Sequence, residues 1–319
     1  MPRIFTHLRT SLLGIDPIET TFQRRGFFMG QKQGKERLEQ CGKAFVHGYN
    51  TVLQNDQHTQ FVPQLEQVDM ALKGFAYEGA AMALAMLDYF SPWKQRLLTF
   101  LAKEGDEHAY MLHVGLGWTF ARVPRSRQRV LSRMDSLYRW LALDGYGFHE
   151  GYFSWRRMFQ QQVQHKHLVG YEKRSFDQGL GRSLWFVQGT DVSRIIATIQ
   201  AFPVSRQPDL WSGIGLASTY AGGAIATDLH LLYQAANQYR PQLAQGAAFA
   251  AKARQRANNL QEETEQACQI FCHTSAQQAA SITDQALEGL PLSQQDPDMP
   301  AYETWRERIQ TSFAFSLSR

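Results

Sequence analysis

The chain has 319 residues, of which 44% are hydrophobic and 19% are charged, and its formal net charge is +4. This composition excludes a largely disordered protein, because enough apolar side chains are present to bury a substantial core. No cluster of lysine and arginine is dense enough to predict a nucleic-acid groove, so we expect no nucleic-acid partner.

The first 35 residues are polar and are interrupted by several glycines and by Pro17. We interpret residues 1–35 as an arm laid over the body of the protein. This stretch lacks the sustained apolar core of a secretory signal, and no run of about 18 apolar residues predicts a membrane-spanning helix. Three cysteines are also too few for a disulfide framework in a chain of this length. We therefore expect a cytoplasmic protein, with a membrane-peripheral position as the alternative.

From residue 36 onward the apolar spacing predicts an all-α fold, because no segment alternates long enough to indicate a strand. The run from Glu78 to Asp88 is apolar nearly all round, so we expect this helix to be buried. No linker divides the chain, which predicts a single domain over residues 36–319. The predicted helices are 36–55, 75–89, 93–103, 109–122, 126–143, 146–169, 177–187, 191–202, 213–239, 242–287 and 302–315.

Four pairs of glycines, each separated by one residue, recur along the middle of the chain. They begin at Gly115, Gly145, Gly179 and Gly213, and the steps of 30, 34 and 34 residues match one helix–turn–helix unit. Large aromatic residues follow each pair. This repeat predicts an α/α-barrel, a toroid of helical hairpins around a cavity for an apolar molecule. In the alternative interpretation, the glycines only let helices pack closely and the rings fill an ordinary core.

Acidic residues and histidines cluster around the glycine pairs, where equivalent ends of successive helices would meet in a barrel. A carboxyl group among apolar rings is poorly hydrated, which favours its protonated form. Such an acid can protonate an alkene, and aromatic faces stabilise the resulting carbocation. Each aspartate also has a structural interpretation as a helix N-cap. The catalytic candidates are Asp106, His108, Asp144, His149, Glu150 and Asp191.

The same kind of cavity also suits passive binding of an apolar ligand, in which case the rings supply only burial. Two arginines near the proposed site, Arg182 and Arg194, are candidates for holding an anionic group of the ligand. We expect no cofactor and no metal, because His108 and His113 are five residues apart and form a poor single-face pair. The candidate cavity walls are Trp118, Phe148, Tyr152, Trp185, Phe186, Trp211 and Tyr220.

Several strings resemble a bacterial family first noted in enediyne gene clusters and long classed as of unknown function. They read HVGLGW at 113–118, DGYGFHEGYF at 144–153, GRSLWF at 181–186, DLWSGIGL at 209–216 and FAYEGAAM at 75–82. The resemblance covers about residues 40–240. Within that family the Gln- and Asn-rich character of the chain is similar to cyanobacterial, single-domain class II terpene cyclases.

This resemblance implies one α/α-barrel domain, like one domain of the squalene–hopene cyclases. The implied reaction converts a linear polyprenylated aromatic acid to a polycyclic, sterol-like product by protonation, without metal or loss of diphosphate. The DxDD motif of the larger cyclases is absent, and its nearest counterpart at 189–196 assigns the acid to Asp191, with Asp144 and Asp106 as alternatives. We expect Asp191→Asn to abolish cyclisation while leaving folding nearly intact.

Two other functions stay open. One is an enediyne-pathway coupling or tailoring enzyme, and the other is a non-catalytic carrier of an apolar ligand. The richest basic stretch, Arg122 to Arg133, is interpreted as a solvated turn and helix start, with contact to an anionic membrane surface as the alternative. The expected partners are therefore an apolar polyprenyl substrate and, in that alternative, a membrane surface.

Overall fold

The computed structural model describes residues 9–123, 127–290, 292, 296 and 298–316. These residues form helices and no β-strand, so the all-α prediction is confirmed. Seven long helices make up the body of the protein. They are α1 (Lys32–Gln54), α2 (Lys73–Phe90), α3 (Ala109–Arg122), α4 (Arg139–Phe153), α5 (Glu172–Val187), α6 (Gln207–Ala221) and α7 (Arg240–Arg256).

The long helices form one continuous row in which each packs against the helix before it and the helix after it. Because both sides are covered, α2, α3 and α6 are apolar on nearly every face and bury most of their residues. One long helix with the segment that follows it accounts for the repeat of 30 to 34 residues. The shorter helices are His58–Glu66, Arg96–Leu101, Arg127–Leu131, Val192–Gln200, Ala226–Ala236, Glu262–Phe271 and Ala276–Gln285, and Ala301–Ser316 closes the chain.

The glycine pairs explain how the row is held together. In the second pair, a methyl group on Gly145 would overlap the backbone carbonyl of Val114 in α3, and one on Gly147 would overlap that of Phe176 in α5. The other three pairs follow the same rule: the first glycine contacts the preceding helix and the second contacts the next one. Close packing is therefore the role of these glycines. All eight glycines lie within helices.

Four predicted helices are too long. The segment 126–143 divides into Arg127–Leu131 and α4, and the segment 146–169 stops at Phe153, before a π-helical turn at Arg156–Gln160. The segment 213–239 is interrupted by Gly222 and Gly223, whose φ angles of 68° and 92° end α6. The segment 242–287 contains three helices separated by turns. Apolar periodicity continues across these breaks, which is why it overestimates the lengths.

The segment before α1 packs against α1, α4 and α5. It contains the short helices Pro17–Thr20 and Phe22–Arg25, and Phe22 and Phe27 bury their rings against the body. Phe22 N–H also donates to Glu39 of α1 at 2.9 Å. Within the described part of the chain, none of the helices combines the length and apolar composition needed to cross a membrane.

Candidate functional site

An aromatic cavity lies between α1, α2, α3, α4, α5 and the segment before α1, and its empty space, counted together with its open mouth, is about 570 Å³. Lining residues on the same helix lie mostly four apart, so they occupy one face on adjacent turns. This spacing is why a single row of helices presents several rings to the same space. The lining residues are Ile15, Glu19, Thr20, Cys41, Gly42, Phe45, Val46, Phe75, Glu78, Trp118, Arg122, Phe148, Tyr152, Phe153, Arg182 and Phe186.

The cavity contains a buried carboxyl group on α2, that of Glu78, which is only 2% exposed. Its Oε1 atom accepts a hydrogen bond from the indole N–H of Trp118 at 3.0 Å. Burial raises the pKa of Glu78 to about 7, although the positive charge of Arg182 and the Trp118 hydrogen bond oppose that rise. A carboxyl group with this pKa keeps a large protonated fraction near neutral pH.

A buried ion pair lies beside Glu78. The guanidinium of Arg182 donates to Oδ1 of Asp144, and the Gln178 side chain donates to Oδ2 of the same carboxylate at 2.8 Å. Burial opposes the charge of Arg182, but the nearby acidic groups raise its pKa above the ordinary value. Arg182 therefore stays charged and provides a fixed positive centre at the wall of the cavity.

The rings around Glu78 contact one another in a continuous set. Trp118 stacks on Phe45 with ring centroids 4.2 Å apart and lies 5.3 Å from the ring of Phe148. Phe148 in turn meets Phe186 edge to face at 5.2 Å and stacks on Tyr152 at 5.9 Å. Several faces and edges of π systems are thus available to one ligand in the cavity.

Two charged residues that line the cavity, Glu19 and Arg122, differ in whether they have an ion-pair partner. Glu19 is neutralised by Arg24 at 2.8 Å and by Arg25 at 3.0 Å. Arg122, in contrast, lines the cavity and forms no ion pair with any acidic group in the described residues. Burial raises the pKa of Cys41 to about 12, so this lining thiol is neutral and a poor nucleophile.

The sequence was also compared with known proteins. The family described as protein of unknown function (DUF1702) matches residues 4–313, which is nearly the whole chain. The chain belongs to the DUF1702 family. No curated protein matches it, and no solved structure does either.

In this DUF1702 protein, five of the nine predicted binding residues line the cavity: Trp118, Phe148, Tyr152, Arg182 and Phe186. The other four do not. Trp185 is buried with its N–H bonded to the Gly222 carbonyl, Trp211 is buried in the core, and Tyr220 lies behind Phe75 at 5.3 Å between ring centroids. Arg194 is half-exposed over the ring of Phe28.

Asp191, predicted as the acid, lies outside the cavity lining of this DUF1702 protein. It is the N-cap of Val192–Gln200, where its side chain accepts the backbone N–H of Arg194 at 3.1 Å. Its side chain is 37% exposed and lies 3.5 Å from the guanidinium of Arg194. This geometry is that of the N-cap alternative.

Asp106 and His108 lie at the start of α3, whereas Trp118 and Arg122 lie near its end. Ten residues separate His108 from Trp118, or roughly 15 Å along a helix. Asp106 is at the surface and pairs with Arg256 at 3.2 Å. His108 is buried and stacks on Tyr77 at 3.9 Å, and its burial lowers its pKa to about 4. These two candidates are not brought to the cavity.

His149 and Glu150 lie on α4 just behind the cavity rings. The His149 ring is 4.6 Å from that of Phe153 and 5.6 Å from that of Trp118. Burial lowers the pKa of His149, so its ring is neutral near pH 7. Oε1 of Glu150 lies 3.4 Å from Nδ1 of His149, and Oε2 lies 3.3 Å from Nε2 of His165. Neither contact has the geometry of a hydrogen bond. Burial opposes ionisation of Glu150, but these histidines lower its pKa to about 2.

In the basic stretch Arg122, Arg129 and Arg133 are exposed as predicted, and Arg127 is the exception among the described residues. Arg127 is buried and donates to the His167 carbonyl at 2.9 Å, while Arg125 lies outside the described residues. Among the described residues, no group of three or more His, Cys, Asp or Glu side chains is arranged to hold a metal ion.

Glu78 is the main residue that sequence reasoning missed. It lies in the run predicted to be a buried, apolar helix, and an acidic residue in such a run is itself a signal of an unusual carboxyl group. Phe45 and Phe75 were missed for a different reason: they belong to helices without a glycine pair. Arg122 was assigned to a solvated stretch.

Proposed function

We propose that this protein is a class II terpene or meroterpenoid cyclase of the merosterolic acid synthase type, with Glu78 as the proton donor. The observation that carries the proposal is a buried carboxyl group with a raised pKa in a cavity of aromatic rings. This assignment moves the acid from Asp191 to Glu78. The substrate class is a linear polyprenyl chain attached to an aromatic acid, and the product is its polycyclic isomer.

The proton transfer follows from the partners of Glu78. As the O–H bond of Glu78 breaks, the proton adds to the terminal double bond of the prenyl chain and leaves a tertiary carbocation. The carboxylate formed in this step is stabilised by the Trp118 N–H and by the positive charge of Arg182. These groups are already in place, so little reorganisation accompanies the reaction.

The carbocation then moves along the chain as successive double bonds close rings. The faces of Trp118, Phe148 and Phe186 stabilise it by cation–π interaction, at roughly 0.5–2 kcal/mol for each ring. Loss of a proton from carbon ends the reaction, so the product has the same atoms as the substrate. His149, which is neutral and contacts two of the cavity rings, is our choice among the candidate bases.

Arg122 is our choice for holding the carboxylate of the substrate, replacing Arg182 and Arg194. Arg182 is already paired with Asp144, and Arg194 lies outside the cavity lining. We also propose that the helix row closes as an α/α-barrel, supported by the hydrogen bond from Arg37 of α1 to the carbonyl of Ala221 in α6 at 3.0 Å. A cytoplasmic location is consistent with three buried, free cysteines.

The test is incubation of the purified protein with farnesylated and geranylgeranylated hydroxybenzoates in the presence of a chelator, with products analysed by mass spectrometry and NMR. We expect a cyclic product of unchanged mass from the wild type and from Asp191→Asn, and none from Glu78→Gln. Arg122→Ala should raise KM about tenfold or more with less effect on kcat, because a charge-assisted hydrogen bond contributes about 1.5–3 kcal/mol.

Three outcomes would contradict this assignment. Turnover by Glu78→Gln at the wild-type rate would remove Glu78 from the role, and loss of turnover in Asp191→Asn would return the acid to Asp191. Recovery of bound prenyl compounds chemically unchanged from the wild type would indicate the carrier function instead.

A further inference from the structure

A second surface, on the other side of α3 from the cavity, combines exposed aromatic rings with unpaired positive charges. It comprises the end of α2, the turn after it and the helix Arg127–Leu131. Three aromatic side chains there are exposed to solvent: Tyr89 by 47%, Phe90 by 58% and Trp93 by 75%. Among the described residues, no aromatic side chain outside this segment belongs to the exposed large apolar set.

A mostly apolar groove, whose empty space is about 850 Å³ when its open side is included, lies beside these rings. Its apolar walls include Leu97, Leu98, Val130 and Met134, and Tyr89 forms part of its edge. Tyr89 thus connects the groove to Phe90, whose ring centroid lies 5.3 Å from its own, and Trp93 follows the lining residue Pro92 in sequence. Large exposed apolar areas of this kind usually mark an interaction surface.

The charges around the groove are positive. Arg129 and Arg133 line it, both are exposed, and neither has an acidic partner in the part of the chain that the structure describes. The acid of the groove, Asp88, is already neutralised by Arg96 at 3.1 Å and accepts two backbone N–H groups. Lys94, next to Trp93, is also exposed.

We propose that this surface docks the protein on an anionic lipid bilayer. Tryptophan and tyrosine favour the boundary between lipid and water, because their rings are apolar and their tips are polar. Arginine and lysine beside them are attracted to anionic headgroups. A protein partner would need an apolar area and negative charges at matching positions, whereas an anionic bilayer has both across its whole surface. The inference does not depend on what the aromatic cavity binds.

The experiment is co-sedimentation of the full chain with vesicles of phosphatidylcholine alone or with added phosphatidylglycerol. We expect the wild type to bind the anionic vesicles and to be released by high salt. The double variant Phe90→Ser/Trp93→Ser should lose affinity by about tenfold or more, since each apolar ring then no longer transfers from water into lipid. Arg129→Glu/Arg133→Glu should lose about tenfold or more through charge reversal.

The matched control is Val204→Ser/Leu231→Ser, because these apolar side chains are also at least half exposed but lie on other segments. It should bind as the wild type does, and melting temperatures should confirm that every variant folds. Failure of the wild type to bind anionic vesicles would overturn the proposal. So would a dimer in gel filtration that Phe90→Ser/Trp93→Ser dissociates, since the surface would then join two copies of the chain.

Discussion

Trp118 donates its indole N–H to the carboxyl group of Glu78 across 3.0 Å, from the end of one buried helix to the start of another. The same indole ring stacks on Phe45 and forms a wall of the cavity. One side chain therefore acts on the acid through its N–H and on the ligand space through its ring. Variants can separate these two roles.

Trp118→Phe keeps an aromatic ring but removes the donor to Glu78. We expect the pKa of Glu78 to rise further, because its ionised form loses a hydrogen bond. If Glu78 is the acid, kcat should fall about tenfold to a hundredfold, in line with about 1.5–3 kcal/mol for a charge-assisted bond. The check is a pH–rate profile, whose fall at high pH should move upward. An unchanged profile would contradict the role given to this bond.

Glu78→Gln should change how stability depends on pH. The native pKa of Glu78 is about 7 and its ordinary value is 4.5, so the folded state binds more protons between these values. The wild type should therefore lose stability as pH rises through this window, whereas the glutamine variant has no proton to lose. Between pH 4.5 and a pH above 7, the difference in stability between the two proteins should therefore change by roughly 3 kcal/mol in favour of the variant, at 1.36 kcal/mol per pKa unit.

Urea unfolding of both proteins across this pH range measures the difference. Below about pH 4.5 the two proteins should have nearly the same pH dependence. Parallel curves across the whole range would mean that Glu78 titrates normally, and its role as an acid at neutral pH would lose its basis.

Asp144→Ala should be strongly destabilising. It leaves the buried guanidinium of Arg182 without its ion-pair partner, and breaking a buried pair in this way costs about 3–5 kcal/mol. Glu19→Ala is the control, since its pair with Arg24 is more exposed and should contribute at most about 1 kcal/mol. Equal losses of unfolding free energy in the two variants would contradict the importance given to the Arg182 pair.

Gly179→Ala tests the close packing of the helix row. Its methyl group would overlap the backbone carbonyl of Asp144, which cannot move without shifting α4. We expect a loss of about 3 kcal/mol or failure to fold. Gly289→Ala is the control, because nothing lies within 4 Å of its Cβ and its φ of 60° costs only about 1–2 kcal/mol. Similar stability of the two variants would contradict the packing role.

The sequence predicts the fold class better than the site, for reasons that particular residues illustrate. The glycine spacing reveals the repeat because each close contact between neighbouring helices requires a glycine. Trp185 and Phe186 are neighbours in sequence, yet only Phe186 faces the cavity. The rotation of a helix that is apolar all round cannot be read from its pattern, so the choice between such neighbours needs the structure.

The choice of the catalytic acid likewise needs the structure. Asp191 stands where a related motif has its acid, but the turn at Gly189 and Thr190, both with positive φ, makes it a helix cap. Glu78 has no motif around it, and its environment comes from α3 and α5, which are distant in sequence. Spacing along one chain identifies caps and faces, whereas a raised pKa arises from neighbours on other helices.

The alternating glycine contacts also limit how the protein can adapt. Each central helix contacts the backbone of the helix before it and of the helix after it. A bulky ligand therefore cannot enlarge the cavity by moving these helices apart. Extra room must come from rotamer changes of the rings or from displacement of the covering segment 15–28. Directed evolution toward larger ligands should therefore select substitutions at the aromatic lining residues and in the segment 15–28. The four glycine pairs should stay unchanged.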